Sequence, residues 1–447
     1  MKKIILIAAA FVAATTSVFA GGLLTNTNQN AVFLRNPARD AAIAIDGVYS
    51  NPAGTAFLPK GLHLSLNWQA AFQKREISST FLPYALNTNN PGVTTKDFVG
   101  KVQAPVIPSF QFAYVFNNKW SVSAQFAIGG GGGKCEFADG LPMFEKLIYS
   151  SLATGIAMSP ALPAGSSLAG YTMQQSLTGE QYFYGLQVGG TYKFNNMVSV
   201  FGGVRGILAN ASYVGQITGI SGDVKLPAAY GGTVIPDAAA TQDLVLDCSQ
   251  NGLGIQPIVG VDVNLGKLNL AAKYEFRGVI NLKNKSNNSA NVDAMFDAYK
   301  DGGRVRSDIP ALLTVGAQYS VIPSVRLMAG YHYYFDKDAK GSATDVSDNT
   351  WEVTFGAEWD VTKKLTVSAG AQRTQYGFAD ADMNDLTYNI NSTGLCLGAS
   401  YRISETVNIN AGYMHSFYDN HTVVNAYGAD NYTRKNDVFG VSVDLHF

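Results

Sequence analysis

Apolar and polar residues alternate with a period of two along most of the chain from Gly61 onward. Between Val407 and Tyr413 the odd positions are apolar, and the same pattern runs from Phe439 to the final Phe447. Side chains of a β-strand point alternately to opposite faces, so this period predicts strands with one apolar face. The pattern therefore predicts an all-β protein built from many strands.

The connections between the predicted strands alternate between short and long. Asn117-Asn118 and Lys363-Lys364 are short turns, whereas 134–178 and 214–250 are long irregular segments. Outer-membrane barrels have short turns on one side and long loops on the other, and counting strands by this rule gives about fourteen. We therefore predict a transmembrane antiparallel β-barrel over residues 61–447, in preference to soluble β-sandwiches, which also alternate.

Composition narrows the class of protein. The chain has 46 Gly, 23 Tyr and 24 Phe but only 15% charged residues, unlike an ordinary soluble enzyme. A net charge of −1 argues against a nucleic-acid partner. The three cysteines cannot form a disulfide framework, so we expect one loop disulfide between Cys135 and Cys248, or none.

The N-terminus has the pattern of an export signal. Lys2 and Lys3 precede an apolar stretch, and Val18-Phe19-Ala20 is a small-residue cleavage pattern before Gly21. Residues 1–20 are therefore predicted to be a signal peptide, and no later apolar run is long enough for a spanning helix. Export together with the barrel pattern predicts a location in the bacterial outer membrane.

Residues 21–60 have no strand pattern and contain a tight corner at Asn51-Pro52-Ala53-Gly54. Proline fixes its own φ and pushes the preceding residue out of the α region, so this corner favours a turn. A barrel of about fourteen strands is too wide for side chains alone to fill. We therefore predict that residues 21–60 form a plug, or hatch, inside the lumen.

These residues resemble those of the FadL/TodX (OmpP1-type) family of outer-membrane transporters. The resemblance rests on Asp46 shortly before Asn51-Pro52-Ala53-Gly54, followed by a barrel pattern that ends in Phe447. It implies that Asn51, Pro52, Ala53 and Gly54 belong to a hatch motif. A second copy, Asn36-Pro37-Ala38, departs from the family pattern and leaves the start of the hatch open.

A run of five glycines follows the third predicted strand: Gly129, Gly130, Gly131, Gly132 and Gly133. Glycine in a strand commonly marks a bulge or a bend, so the run is interpreted either as a kink that opens the barrel wall or as the start of a flexible loop. In the resembled family a kink in an early strand makes a lateral exit, which implies the first interpretation.

The next loop is unusually apolar for an extracellular segment. We interpret five of its residues as a ligand-binding groove, the alternative being that the loop packs on its own barrel rim: Phe137, Leu141, Met143, Phe144 and Leu147. A carboxylate ligand would require a cation, and Lys134, Lys146 and Arg205 are candidates among which the sequence does not choose.

No catalytic or metal-binding pattern accompanies these features. The five histidines lack ligand spacing and no Gly-x-Ser-x-Gly motif occurs, so we expect no enzyme activity, no metal and no cofactor. The resemblance implies passive uptake of long-chain fatty acids or other hydrophobic compounds by a monomer in outer-membrane lipid, inserted by the barrel-assembly machinery. The alternative is a general porin, favoured by a constriction of Lys273, Glu275 and Arg277, or a surface barrel that binds without transport.

Overall fold

The computed structural model describes residues 23–341, 346–425 and 428–447, so the predicted signal peptide lies outside the described residues. Eighteen strand segments in these ranges form one antiparallel sheet. They are β1 (Gly61–Phe81), β2 (Thr95–Val115), β3 (Trp120–Phe137), β4 (Ser167–Lys193), β5 (Val198–Lys225), β6 (Val234–Ala240), β7 (Leu244–Asn264), β8 (Leu268–Glu275), β9 (Asn281–Ser286), β10 (Arg304–Arg306), β11 (Ala311–Ile322), β12 (Val325–Phe335), β13 (Trp351–Asp360), β14 (Leu365–Gln375), β15 (Ser392–Arg402), β16 (Val407–Tyr418), β17 (His421–Asn425) and β18 (Gly428–His446). The α-helices are α1 (Gly47–Ser50), α2 (Pro142–Met158) and α3 (Ala290–Met295).

The segments make a closed barrel of fourteen strands, as the alternation of turns predicts. Segments β8 and β9 form one interrupted strand because both pair with β7. Segments β10 and β11 form the next interrupted strand, which pairs with β9 and β8, and segments β16 and β17 form a third, which pairs with β18. The short β6 pairs with the far end of β5. Strand β1 closes the barrel against β18, from His63 opposite His446 to Phe81 opposite Gly428.

Strand faces follow the period-two pattern. In β1 the side chains of Leu66, Trp68 and Phe72 are exposed on the outer wall, whereas Asn67 and Gln73 are buried in the lumen. An apolar outer band with a polar interior is the arrangement that a membrane barrel requires, since every backbone group inside the lipid must be paired. No helix in the described ranges is both long and apolar enough to cross a membrane.

Several strands are longer than the sequence pattern indicates. Strand β4 has 27 residues and begins at Ser167, inside the segment 134–178 that we predicted to be an irregular connection, and β3 continues to Phe137. A spanning strand needs only about 9–11 residues, so these strands extend well beyond the bilayer.

The alternation of apolar and polar residues from Leu268 to Leu282 predicts one continuous strand, but the structure interrupts it at residues 276–280. Continued alternation would place Ile280 on the outer face and Arg277 and Asn281 in the lumen. Instead, Ile280 is fully buried, and Arg277 and Asn281 are exposed. The interruption changes the phase of alternation, so side chains beyond it face opposite to the prediction.

Residues 23–60 form a plug inside the barrel. The plug consists of short turns: a 3-10 helix at Ala31–Leu34, α1, and a second 3-10 helix at Pro52–Phe57. Polar plug residues such as Asn28 and Asn36 are as buried as its leucines, because the surrounding wall excludes solvent.

Candidate functional site

The plug rests on a belt of seven glycines that face it from consecutive barrel strands. We call this the glycine belt: Gly316, Gly330, Gly356, Gly370, Gly398, Gly412 and Gly440. The belt is continuous across paired strands, with Gly316 opposite Gly330 and Gly412 opposite Gly440. Glycine is required because a Cβ at Gly412 would lie 2.7 Å from the backbone nitrogen of Arg35. Only a wall without side chains admits the plug this closely.

The second Asn-Pro-Ala copy sits against this belt. The Asn36 side chain accepts a hydrogen bond from the Ala38 N–H at 3.1 Å, and a Cβ at Gly356 would overlap its Oδ1 at 1.8 Å. Pro37 contacts Gly370 in the same way. This second copy, Asn36-Pro37-Ala38, therefore forms the turn that seats the plug on β13 and β14.

Buried ion pairs attach the plug to the wall. Arg39 donates from Nε to Asp46 at 2.7 Å and from Nη1 to Glu358 on β13 at 2.9 Å. Arg35 also donates to Glu358, at 3.0 Å. Burial alone would lower the pKa of Arg39, but the carboxylates of Asp46 and Glu358 outweigh it and raise that pKa. These charges are mutually compensated, so the plug carries a fixed ionic attachment.

A second attachment lies on the opposite wall. Lys273 donates to the Tyr49 carbonyl oxygen at 2.8 Å and to Glu275 at 2.7 Å, and Arg205 pairs with the same Glu275. Lys273 and Glu275 thus hold the plug and do not border an open pore. Arg277 is exposed and pairs elsewhere, so the constriction that would favour a porin does not form.

A third attachment joins Asp40 to β12. His332 lies between two buried carboxylates, with Nε2 at 3.0 Å from Asp40 Oδ1 and Nδ1 at 2.9 Å from Glu352 Oε2. The Tyr334 hydroxyl also donates to Glu352, at 2.7 Å. No sequence pattern pointed to His332, because its two partners come from distant segments.

The predicted hatch motif forms the lower corner of the plug. Asn51 accepts from the Gly54 N–H at 3.1 Å and donates from Nδ2 to Asp262 of β7 at 2.5 Å. The Pro52 carbonyl oxygen accepts a hydrogen bond from the Thr191 hydroxyl at 3.0 Å, and the Ala53 carbonyl oxygen accepts one from the Ser199 hydroxyl at 2.7 Å. Pro52, Ala53 and their neighbours are therefore pinned to the wall by side chains of three strands.

The glycine run lies inside β3, which continues through it to Phe137, so the run is not the start of a loop. Gly131 and Gly133 have φ of 81° and 84°, a conformation that favours glycine, and the pairing with β4 shifts register twice within the run. Pairing with β2 stops at Lys134 and resumes at Phe126. The wall is therefore unpaired between β2 and β3 along the glycine run, and we call this the β2–β3 gap.

The first residues of the plug cover this gap from the lumen. The Asn26 N–H donates to the Gly129 carbonyl oxygen at 3.0 Å, and its side chain donates to the Gly131 carbonyl oxygen at 3.1 Å. A Cβ at Gly130 would lie 2.3 Å from the Leu24 carbonyl oxygen. Because β2 does not pair with β3 along the glycine run, backbone groups of β3 are available there, and they form hydrogen bonds with the plug instead.

The apolar loop residues lie in the cap, by which we mean α2 and the loops that pack against it at this end of the barrel. Phe137 ends β3, Leu141 precedes α2, and Phe144 and Leu147 are on α2; all four are buried, and Met143 is partly exposed. In this conformation they pack on the barrel rim, as the alternative interpretation expected. They belong to one buried apolar cluster, the apolar track, which continues down the wall through Phe98, Val102, Ala104, Ile107 and Ile128 to the β2–β3 gap.

Polar contacts hold α2 closed over this track. Glu145 accepts from Asn87 at 2.7 Å and from Lys96 at 2.6 Å, and Asp385 accepts from the Met143 N–H at 2.6 Å. Burial, reinforced by the charge of Asp430, raises the pKa of Asp385 to about 6. The cap therefore includes a carboxylate that is costly to ionise.

The three cations proposed for a ligand carboxylate already have carboxylate neighbours. Lys146 pairs with Asp430 at 2.6 Å, Arg205 pairs with Glu275, and Lys134 is exposed and 3.9 Å from Glu136. The three cysteines are buried and free. Within the described ranges, no group of three or more His, Cys, Asp or Glu side chains could hold a metal ion.

Together these features define a plugged transmembrane β-barrel with a continuous buried apolar cluster. A family model described as Gram-negative porin matches residues 256–421, and a comparison with curated proteins found no match. Among solved structures, a Pseudomonas aeruginosa FadL homologue is 17% identical with a TM-score of 0.68, covering 96% of this chain and 100% of that one.

The Pseudomonas putida toluene transporter TodX is 13% identical with a TM-score of 0.59, covering 97% of this chain and 100% of that one. The Ralstonia pickettii toluene transporter TbuX is 15% identical with a TM-score of 0.55, covering 94% and 99%. The chain therefore has the FadL-type fold. The fold and the porin match indicate a bacterial outer-membrane protein.

Proposed function

We propose that this protein mediates passive uptake of hydrophobic small molecules across the outer membrane, with the apolar track as their path. The observation that carries the proposal is continuity: one buried apolar cluster joins α2 at the extracellular end to the β2–β3 gap. Burial of apolar surface is favourable by about 25 cal/mol per Å², so such a path can capture a lipophilic ligand without an energy source.

Two movements would open this path. Phe144 and Leu147 fill its outer end, so a ligand must displace α2 to enter. The segment from Leu24 to Asn26 covers the inner end, so release requires this part of the plug to leave the glycine run. Exit through the wall is compatible with lipid because the glycines carry no side chains and their free backbone groups face protein.

Only the N-terminal part of the plug is suited to move. Residues 31–40 are fixed by the glycine belt and by the pairs of Arg39 and Asp40. By contrast, the cover over the glycine run consists of a few hydrogen bonds, made mainly by Asn26. We therefore place the gating movement in residues 23–26, because Asn28 and Gln29 are already bonded to Gln69 and Gln125 of the wall. We treat Asn51-Pro52-Ala53-Gly54 as the fixed end of the hatch.

The similar structures described as FadL homologue and toluene transporters support hydrophobic ligands as the substrate class. Within that class we propose fatty acids or hydrocarbons, carried by a monomeric barrel that contacts outer-membrane lipid and is inserted by the barrel-assembly machinery. A general porin is disfavoured, because the plug and its ion pairs occupy the lumen.

The sharpest test blocks the β2–β3 gap and leaves the rest unchanged. Ala104 is buried at the gap, where its Cβ would lie 3.3 Å from a Cβ on Gly133. Val106 lies on the same unpaired stretch but is 66% exposed on the outer wall. Ala104→Phe should therefore reduce uptake of a fluorescent fatty acid into proteoliposomes several-fold, and the matched control Val106→Phe should not.

Binding and conductance measurements complete the test. Ligand binding from the extracellular side should survive in Ala104→Phe, since the cap is untouched. Planar-bilayer recordings should show little ion or sugar conductance for the native protein. Equal uptake by the two variants would reject the lateral path, and a large steady conductance would favour the porin.

A further inference from the structure

Two arginines face each other across the strands that close the barrel. Arg75 of β1 and Arg434 of β18 are direct cross-strand partners, and their side chains are buried in the lumen. Like charges directly opposite each other in a sheet are destabilising, and a buried guanidinium normally has a carboxylate partner. This arrangement therefore calls for a counter-charge.

The chain does not supply that counter-charge to Arg75. Among the described residues no carboxylate lies within ion-pair distance of Arg75, in contrast to Arg205 with its Glu275. Arg75 instead donates to the Tyr388 carbonyl oxygen at 3.3 Å and stacks 4.3 Å from the centre of the Tyr388 ring. Its charge is buried against an aromatic face and left without an anion.

The neighbouring side chains offer further hydrogen-bond donors. Gln73 and Asn436 are also cross-strand partners, and Gln73 accepts from Arg434 at 3.1 Å through Oε1. The Gln73 amide nitrogen, the Asn436 amide, the Arg75 Nε and the Tyr388 hydroxyl are all buried and have no partner among the described residues. We call these five residues the headgroup cradle: Gln73, Arg75, Tyr388, Arg434 and Asn436.

The apolar track passes beside the cradle. Val102 of β2 lies opposite Gln73, and Phe98 of β2 lies opposite Ile77 of β1, one lumen-facing position beyond Arg75. All three apolar side chains are at most 2% exposed and belong to the track. A ligand with its polar end on the cradle would thus extend its apolar part along β2 toward the β2–β3 gap.

We infer that the headgroup cradle binds the carboxylate of a long-chain acid, and that the ligand is an amphipathic anion and not a neutral hydrocarbon. This inference rests on the proposed function and names its substrate class. A carboxylate accepts several hydrogen bonds and pairs with guanidinium in two parallel bonds, so it satisfies the donors and the charge together. A neutral hydrocarbon would leave both unmet.

The test compares two ligands that differ only in the headgroup. Hexadecanoate and hexadecanol compete with a fluorescent fatty acid for the purified full-length barrel in detergent above the pKa of the acid. The native protein should bind hexadecanoate about tenfold more tightly than hexadecanol. Arg75→Gln should remove about tenfold of the hexadecanoate affinity and leave hexadecanol affinity within about twofold.

Two further variants separate charge from packing. Arg75→Lys keeps the charge but loses the planar fork, so it should bind hexadecanoate with intermediate affinity. Lys101→Gln removes an exposed cation of β2 at nearly the same height on the outer wall and should bind like the native protein. Heat-modifiable gel migration verifies that each barrel is folded.

The possible outcomes separate failure of the headgroup cradle from failure of the proposed uptake of hydrophobic molecules. Equal native affinity for the acid and the alcohol, or an equal loss of both in Arg75→Gln, would overturn the cradle and leave hydrophobic transport standing. Failure of the native protein to bind either ligand would overturn both.

Discussion

Replacement of one belt glycine tests whether the plug is seated as the structure indicates. In Gly412→Ala the new Cβ would lie 2.7 Å from the Arg35 nitrogen and 2.8 Å from the Leu34 carbonyl carbon. These are backbone atoms that cannot rotate away, so the closest separation must grow from 2.7 Å to the 3.4 Å of ordinary contact. The plug must therefore move by roughly 0.7 Å, and overpacking of this kind costs about 1–3 kcal/mol.

The native chain contains a reporter for that movement. Cys396 is a lumen-facing thiol on β15, two residues from the belt glycine Gly398, and is 1% exposed. In a Cys135→Ser, Cys248→Ser background, its labelling by a small thiol reagent measures the population in which the plug has lifted. A penalty of about 1–3 kcal/mol raises that population, and hence the labelling rate, roughly 5- to 150-fold.

Two companion variants make the result decisive. Gly202→Ala is the matched control, because Gly202 is an exposed strand glycine whose added Cβ would contact nothing within 4 Å. Gly316→Ala perturbs the belt on β11, where the Cβ would lie 2.5 Å from Asp40 Cβ, far from the reporter. It should also accelerate labelling if the plug moves as a unit. Labelling at the control rate in both belt variants would refute the seating argument.

Three other predictions concern the attachment of the plug by Arg39, the cover over the glycine run and the cap. Arg39→Met removes one buried partner from Glu358 and leaves Asp46 unpaired. The seated plug should lose about 3–5 kcal/mol of stability and become sensitive to protease, whereas Lys363→Met at an exposed position should change neither. Equal protease sensitivity of the two variants would contradict this. Asn26→Ala removes side-chain bonds to the glycine run and should increase uptake, and slower uptake would argue against a gate there. Asp385 has a raised pKa, so the folded cap binds a proton that the unfolded chain releases; cap stability should fall by up to about 3 kcal/mol as pH rises from about 4 past 6. Proteolysis of the α2 loop should be faster at about pH 7.5 than at about pH 5, and Asp385→Asn should abolish the difference.

Only part of the candidate site could be predicted from the sequence. The apolar loop residues and the glycine run were recognisable because their composition is unusual for their position. Arg75 was missed, since an arginine in an alternating strand resembles any other lumen residue until its cross-strand partner is known. The belt had a faint signal, an apolar-Gly-apolar triplet in each strand from β11 to β18 apart from the short β17, as in Phe355-Gly356-Ala357.

Local periodicity determined the class of this protein. Alternation, turn length and the Asn-Pro corner are properties of short segments, and they suffice for a fourteen-strand barrel with an N-terminal plug. Register and closure are relations between distant segments, and only the tertiary structure decided them. Closure brings Arg75 to Arg434, register aligns the glycines into a belt, and an interruption of five residues reverses the faces beyond Glu275. The period of two predicts which side chains face the lumen, but the pairing of strands determines which residues they contact there.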